Sequence, residues 1–368
     1  MRFGYYGYDA TFRSLFPLVI AEAGRHGHAS VWIPPQVKGA AIVLKENVHD
    51  CDVVLLGLSS TQTQEELALV DACRRVVVIA DVPGSELRPQ ARPWIYAERA
   101  LPFEERKLRG LILALGTSRF AASEFGYPPE DIYYVGPPPH WGASYRQMIA
   151  IDRVHARIGV VVQYMGQERL LSSDDALVVV PGTKNPFVVN AMLRCAIDAG
   201  QKIFGRRFVL GFAPHPGERA EKPEEEADFA RAFAERDGIL NSGLRRANLS
   251  HLANPQRYAI ADLVITTGGP TETIAASYAR NTRVAYYRDD KVIEYLAAGG
   301  IQDGKWFVAE LGAACIIEPH NYLRQLAFLM SHEGQEYTLA QQEKHFALPD
   351  TWRTAPAIVD LLEKVAGE

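Results

Sequence analysis

Cysteine is scarce in this 368-residue chain, and the four present (Cys51, Cys73, Cys195 and Cys315) lie far apart with no Cys-x-x-Cys pair. That spacing argues against a disulfide framework or a cysteine-held structural zinc, and buried, reduced thiols are the expectation. No run approaches the roughly 18 apolar residues of a membrane-crossing helix. The opening stretch MRFGYYGYDATFRSLF lacks the apolar core of a signal peptide. A cytoplasmic protein is expected, with peripheral membrane contact left open. Positive charge is not in excess: 39 Lys and Arg stand against 44 Asp and Glu, for a net charge of −5. A broad phosphate-backbone-binding surface, and hence a nucleic-acid partner, is not expected, although a local basic pocket is compatible with this balance. There is no convincing short internal repeat, and nothing in the sequence fixes the oligomeric state.

What is present is apolar material in short alternating blocks. The chain is 48% hydrophobic and long enough for two domains with separate cores. RFGYYGY, ASVWIP, CDVVLLGL, VVVIADVPGS, GLILALGTS and DIYYVGPPP read as strands. FRSLFPLVIAEAGRHGH and TQEELALVDACRR read as helices between them, with Pro17 expected near the first turn of its helix or at a kink. CDVVLLGL is continuously apolar, as a strand buried on both faces should be. Pro137, Pro138 and Pro139 interrupt the pattern, and residues 143–175 are ambiguous. Alternation then resumes. ALVVVPGTKNP, RFVLGFAPHPGER, ADLVITTGG and RVAYYRDD are strand-like, FVVNAMLRCAIDAG and KVIEYLAAGG are helical, and residues 221–238 read as an acidic surface helix. The expectation is an α/β chain of two parallel-sheet domains, 1–155 and 156–368, with the last helix packing back on the first domain.

Three strand-to-loop junctions in the second half carry polar chemistry. In ADLVITTGGPTETIAAS, Gly268 and Gly269 would let a phosphate approach the backbone. Thr267 and Thr271 offer hydroxyls, and Pro270 suits a first helical position. A tight turn without a ligand fits the same residues, with Glu272 capping the helix start. In FAPHPGER, His215 and Arg219 could donate to a diphosphate, or the His-Pro pair could be a structural turn. In VVVPGTKNP, Lys184 could reach a phosphate or stand solvated in a loop. Only the coincidence of the three is informative. In the first half, His26 and His28 lie in a helix-to-strand turn, where a cationic side chain suits the helix end. His140 and Trp141 could line a cleft or form a packed corner.

The run YAIADLVITTGGPTETIAASYARNTRVAYY resembles the nucleotide-binding domain of GT-B glycosyltransferases. Similar runs occur in the peptidoglycan UDP-N-acetylglucosamine transferase and in UDP-N-acetylglucosamine 2-epimerases. PHPGER resembles the His-Pro loop of the epimerases and of polymer-forming transferases. AEAGRHGHASVWIP and VGPPPHW resemble first-half stretches of many GT-B enzymes. The resemblance implies two Rossmann-like domains facing an interdomain cleft, with the donor held by the C-terminal domain and the acceptor by the N-terminal one. It implies a nucleotide-diphosphate sugar such as a UDP-sugar as donor, a glycan or small hydroxyl as acceptor, and a role in cell-surface glycan synthesis. No cofactor and no metal are implied, in line with the weak acidic clusters SDD (173–175) and RDD (288–290). Lys184, His215, Arg219, Thr267, Gly268, Gly269 and Thr271 would surround the diphosphate. Glu272 would approach the ribose, since Ile274, Ala275 and Ala276 occupy the region where these enzymes usually place a glutamate. An inverting transferase needs a base for the acceptor hydroxyl, and Asp9 and Asp81, each just past a first-half strand, are the candidates. A nucleotide-sugar 2-epimerase of the same fold, and a non-catalytic nucleotide- or glycan-binding member, are the alternatives.

Overall fold

The computed structural model describes residues 1–6, 10–33, 48–58, 72–80, 108–113, 132–135, 157–215, 217–220, 222–252, 254–267, 282–298, 314–346 and 354–368. The chain forms two compact units, one of residues 1–143 with 348–368, the other of residues 144–347.

The first unit is built on β1 (Arg2–Tyr6), α1 (Ala10–Arg25), β2 (Ala29–Trp32), β3 (Val53–Leu58), β4 (Val76–Ala80), β5 (Leu108–Leu113) and β6 (Ile132–Tyr134). Its sheet has the order β2-β1-β3-β4-β5-β6, and every pairing is parallel. The interior of β3 is buried without alternation, as its continuous apolar run requires. On one face, Leu15, Phe16, Val19 and Ala23 of α1 meet Phe3, Tyr5, Val53 and Leu55. Ile358, Val359, Leu362 and Val365 of the C-terminal helix (Thr354–Gly367) complete the same core. Pro17 falls in the middle of α1, not in its first turn. It is exposed, so the backbone bond it cannot make is lost on the solvent side. The helix expected over TQEELALVDACRR falls almost wholly outside the described residues.

The second unit contains β7 (Val161–Tyr164), β8 (Gln167–Leu170), β9 (Ala176–Pro181), α2 (Pro186–Phe204), β10 (Phe208–Ala213), α3 (Glu226–Leu240), β11 (Arg246–Ala247), β12 (Leu263–Thr266), β13 (Arg283–Tyr287) and β14 (Cys315–Ile317). The sheet order is β14-β13-β12-β9-β10-β11-β7-β8. The first six are paired in parallel, and β7 and β8 add an antiparallel hairpin at the edge. The hairpin accounts for the described part of the ambiguous stretch, residues 157–175: Met165 and Gly166 both take positive φ, as a tight two-residue turn demands. α2 begins where Asn185 caps it. The Asn185 side chain accepts from the amides of Phe187 (3.0 Å) and Val188 (3.3 Å), and Pro186 fills the first position. Its inner face, Val188, Val189, Met192, Leu193, Ala196 and Ala199, lies in the core with β9, β10, β12 and β13.

Charged side chains close the amino-terminal end of this sheet. Asp262, just before β12, accepts from the Leu177 amide of β9 (2.7 Å) and from Arg157 Nη2 (2.6 Å). Arg157 also donates to the carbonyls of Ile260 (3.1 Å) and Asp175 (3.3 Å). Asp175, 4% exposed, takes a two-pronged bond from Arg169 (2.7 Å each), a further ion pair from Arg245 and the Ser172 amide (2.8 Å). Burial pushes the Asp175 carboxyl up, but Arg169 and the Ser172 amide outweigh it and hold the carboxyl below its ordinary value. A charged native form is therefore favoured. Its contribution is complete above the ordinary carboxylate value of about 4 and is lost as pH falls through the depressed native one. Asp175→Asn should cost about 3 kcal/mol in urea denaturation at neutral pH, because it leaves Arg169 and Arg245 facing a neutral buried group. The gap from wild type should be as large at about pH 5 as at about pH 7. A gap already closing at pH 5 would contradict the assignment.

Candidate functional site

β9, β10 and β12 are neighbours, with β9 in the middle. From β9 the chain passes through α2 to β10 on one side, and later returns as β12 on the other. The sheet therefore has its topological switch point at the carboxyl ends of β9 and β12, where open α/β sheets bind ligands. Register sets the loops level. Ala213 pairs with Pro181, and Val264 with Val179. Continuing the second ladder brings Thr266 level with Pro181 and Ala213. Adjacent strands are about 4.8 Å apart, so the loops starting at Thr267, Gly182 and Pro214 open side by side.

The β9 loop is packed against the β10 loop through backbone. Gly182 donates to the Ala213 carbonyl (2.6 Å), and a Cβ on Gly182 would sit 2.5 Å from the His215 amide nitrogen. No larger residue fits this approach without moving one loop. Thr183 Oγ1 accepts from the Asn185 amide (3.2 Å), which fixes the turn into α2. Lys184 projects from that turn and is exposed, with its Cε near Gly217.

The β10 loop holds a half-buried imidazole. His215 Nδ1 accepts from the Gly217 amide (2.9 Å). The neutral ring then carries its proton on Nε2, as a donor. Burial lowers the His215 pKa, and the Lys184 charge lowers it further. The loop is anchored from below: Glu218 pairs with Arg236 of α3 at 2.5 Å, with side chains 4% and 10% exposed. Burial raises the Glu218 carboxyl, and Arg236 opposes that rise. The Arg236 guanidinium also lies over the rings of Phe212 (5.3 Å) and Phe233 (4.8 Å). Arg219, next in the loop, is exposed.

Thr266 and Thr267 at the end of β12 are completely buried. Among the described residues the Thr267 hydroxyl has no hydrogen-bond partner. Leaving such a group unmet costs about 1–3 kcal/mol, so this hydroxyl calls for a reason. An ammonium, an imidazole N–H donor and an unmet hydroxyl thus belong to three adjacent loops. Together they can neutralise and hold an anionic group. Of the other candidates, Asp9, Asp81, Gly268, Gly269, Thr271 and Glu272 lie outside the described residues, as do His140 and Trp141. The Glu218–Arg236 anchor was not read from the sequence, where residues 221–238 pass for a solvated helix. The available signal was Phe229, Phe233 and Arg236 at helical spacing. Phe229 packs edge-on against both Phe187 (6.2 Å) and Phe233 (6.1 Å).

No family model and no curated protein matches the chain. Solved structures do match over essentially its whole length. The S. aureus MnaA–UDP co-structure aligns with 100% of this chain and 96% of its own, at 11% identity and a TM-score of 0.55. MurG of Acinetobacter baumannii aligns with 99% of this chain and 98% of its own, at 10% identity and a TM-score of 0.54. The UDP-GlcNAc 2-epimerase of Neisseria meningitidis bound to UDP-GlcNAc covers 100% of both chains, at 11% identity and a TM-score of 0.52. With two parallel-dominated α/β sheets and these likenesses, the chain has the GT-B fold.

The electrostatics of the β10 loop can be read in solution. His215 should titrate below the ordinary histidine value of about 6.5, measured from its ring proton shifts by NMR. Lys184→Gln should raise that midpoint without bringing it back to the ordinary value, because burial is the larger cause. A midpoint unmoved by Lys184→Gln would separate the two loops.

Proposed function

We propose that this chain is a metal-independent glycosyltransferase. In this reading it moves a sugar from a nucleotide-diphosphate sugar to a glycan or other hydroxyl acceptor, in the making of a cell-surface or other complex glycan. The observation that carries the reading is the completely buried Thr267 hydroxyl, unmet among the described residues, at the switch point beside the loops of Lys184 and His215. A diphosphate there would accept from the hydroxyl and from His215 Nε2, and Lys184 would supply charge as a point donor. Arg219, Gly268, Gly269 and Thr271 are assigned to the same diphosphate, and Glu272 to the ribose. Asp9 and Asp81 are the candidates for the base that takes the acceptor proton. UDP is the nucleotide to test first, since it is the one in the S. aureus structure of like fold.

The second reading is a nucleotide-sugar 2-epimerase, supported by the likeness to the N. meningitidis enzyme and by a histidine kept neutral at the site. An epimerase converts the nucleotide sugar with no acceptor present, so an acceptor-free product assay separates the two.

Nucleotide binding tests both at once. UDP and UDP-sugars should raise the melting midpoint of the purified protein, because a ligand of the folded state stabilises it by mass action. Thr267→Val should leave the melt of the free protein unchanged or higher, since it removes an unmet polar group. The same variant should bind UDP about tenfold more weakly, the loss of roughly 1.4 kcal/mol. A cooperative melt that no nucleotide shifts would sink the reading, as would Thr267→Val binding as tightly as wild type.

A further inference from the structure

The turn from α1 into β2 closes with two backbone bonds, Gly27 N–H to the Gly24 carbonyl (3.0 Å) and His28 N–H to the Ala23 carbonyl (2.9 Å). Gly27 takes φ +78° between them. This is the paired-bond glycine ending of a helix, and it places one histidine on each side of the left-handed residue. Both imidazoles converge on one atom from the far end of the sequence. His26 Nδ1 lies 2.8 Å and His28 Nε2 2.6 Å from Oε1 of Glu363, on the C-terminal helix. One ligand atom from each residue falls within 4.8 Å of the others, the one such group of three among the described residues.

The surroundings are shaped for a cation. Phe3 braces the His28 ring at 4.9 Å. The other nitrogen of His26, Nε2, faces Glu22 Oε1 at 3.7 Å, and Asp360, one turn before Glu363, adds to the negative field on His26. Arg25, paired with Glu22, is the opposing charge. A histidine that binds metal through one nitrogen commonly donates its other N–H to a carboxylate, which fixes the ring and its tautomer. Glu22 stands where that carboxylate is needed. The cluster sits at the amino-terminal edge of the first sheet, since His28 directly precedes β2. The proposed nucleotide site is in the other unit, so neither depends on the other.

We propose that His26, His28 and Glu363 bind a divalent transition-metal ion of the zinc class, and that this ion ties the C-terminal helix to the turn between α1 and β2 within the first unit. Two nitrogens and one carboxylate oxygen are the donor set such ions take, with a water completing four-coordination. Without metal, protons bridge the rings to the carboxylate. On binding, the metal displaces them, and the N···O separations open to about 3.3 Å, the span set by metal–ligand bonds of about 2.0–2.2 Å. From 2.8 Å for His26 and 2.6 Å for His28 these are shifts of about 0.5 and 0.7 Å, within reach of side-chain adjustment. Imidazole and carboxylate donors must give up their protons to a metal, so its affinity must fall as the pH falls.

The test uses the full-length protein stripped with EDTA. Cobalt(II) titrated at about pH 7.5 should bind at one equivalent with visible absorption bands of low coordination number, and zinc should raise the melting midpoint. Glu363→Gln and His28→Asn should each weaken cobalt binding at least tenfold while still melting cooperatively in EDTA. Should either variant fail to fold, wild type is titrated to about pH 5, where protons compete with the metal for its donors and the cobalt spectrum should be lost. No cobalt spectrum and no zinc shift in wild type would overturn the proposal. So would a spectrum undiminished in the folded variants or at low pH.

Discussion

The second unit depends on where the Asp262 carboxylate is held. Its Oδ2 joins the Leu177 amide of β9 to Arg157, and Arg157 in turn gathers the carbonyls of Ile260 and Asp175. A one-residue slip of β12 against β9 would turn the apolar residues of a strand buried on both faces out of their partners. It would also leave a carboxylate and a guanidinium unpaired in a nearly dry place, the costly outcome for buried ions. The register fixed at the amino end carries along both strands to the carboxyl end, where it sets Thr267 level with Gly182 and the His215 loop. Charge settles alignment at one end of the strands, and the candidate site lies at the other.

The His215 loop is held in the same way from three directions. The Gly182 amide pins the backbone before it, the Gly217 amide fixes the ring, and the Glu218–Arg236 pair locks the far side of the loop onto α3. Each contact removes conformational freedom during folding, so less is left to lose when a ligand arrives. Thr267 is the complement: a buried hydroxyl with no partner among the described residues, tolerable only where the surrounding core is strong enough to carry it.

The sheets were legible because a strand buried on both faces must be apolar at every position. CDVVLLGL and ALVVVP say so plainly, and the order of motifs pointed to the GT-B fold. The edge hairpin was not legible: VVQY and QERL are half polar, and the turn uses Met165 with Gly166, not Asn-Gly. Ion pairs across long separations were invisible for a different reason. Arg245 with Asp175, Arg236 with Glu218, and Glu363 with two histidines leave no periodic trace, because a single charged residue looks the same whether its partner is water or a side chain 337 residues away. Lys184, His215 and Thr267 could be picked out because each sits in the loop just past a strand. That the three strands are neighbours is a property of the sheet order, which a sequence does not state.

The C-terminal helix gives the chain an unusual schedule of assembly. Ile358, Val359, Leu362 and Val365 are part of the core that Phe3, Tyr5 and Phe16 begin. At a synthesis rate of about 5–20 residues per second, that helix emerges roughly ten to forty seconds after β6. For that interval the sheet face on which α1 packs lacks its second helix, while the second unit, continuous in sequence, can close by itself. The first part made is therefore the last part finished, and the nascent chain exposes an apolar surface that chaperones can hold until the final helix covers it.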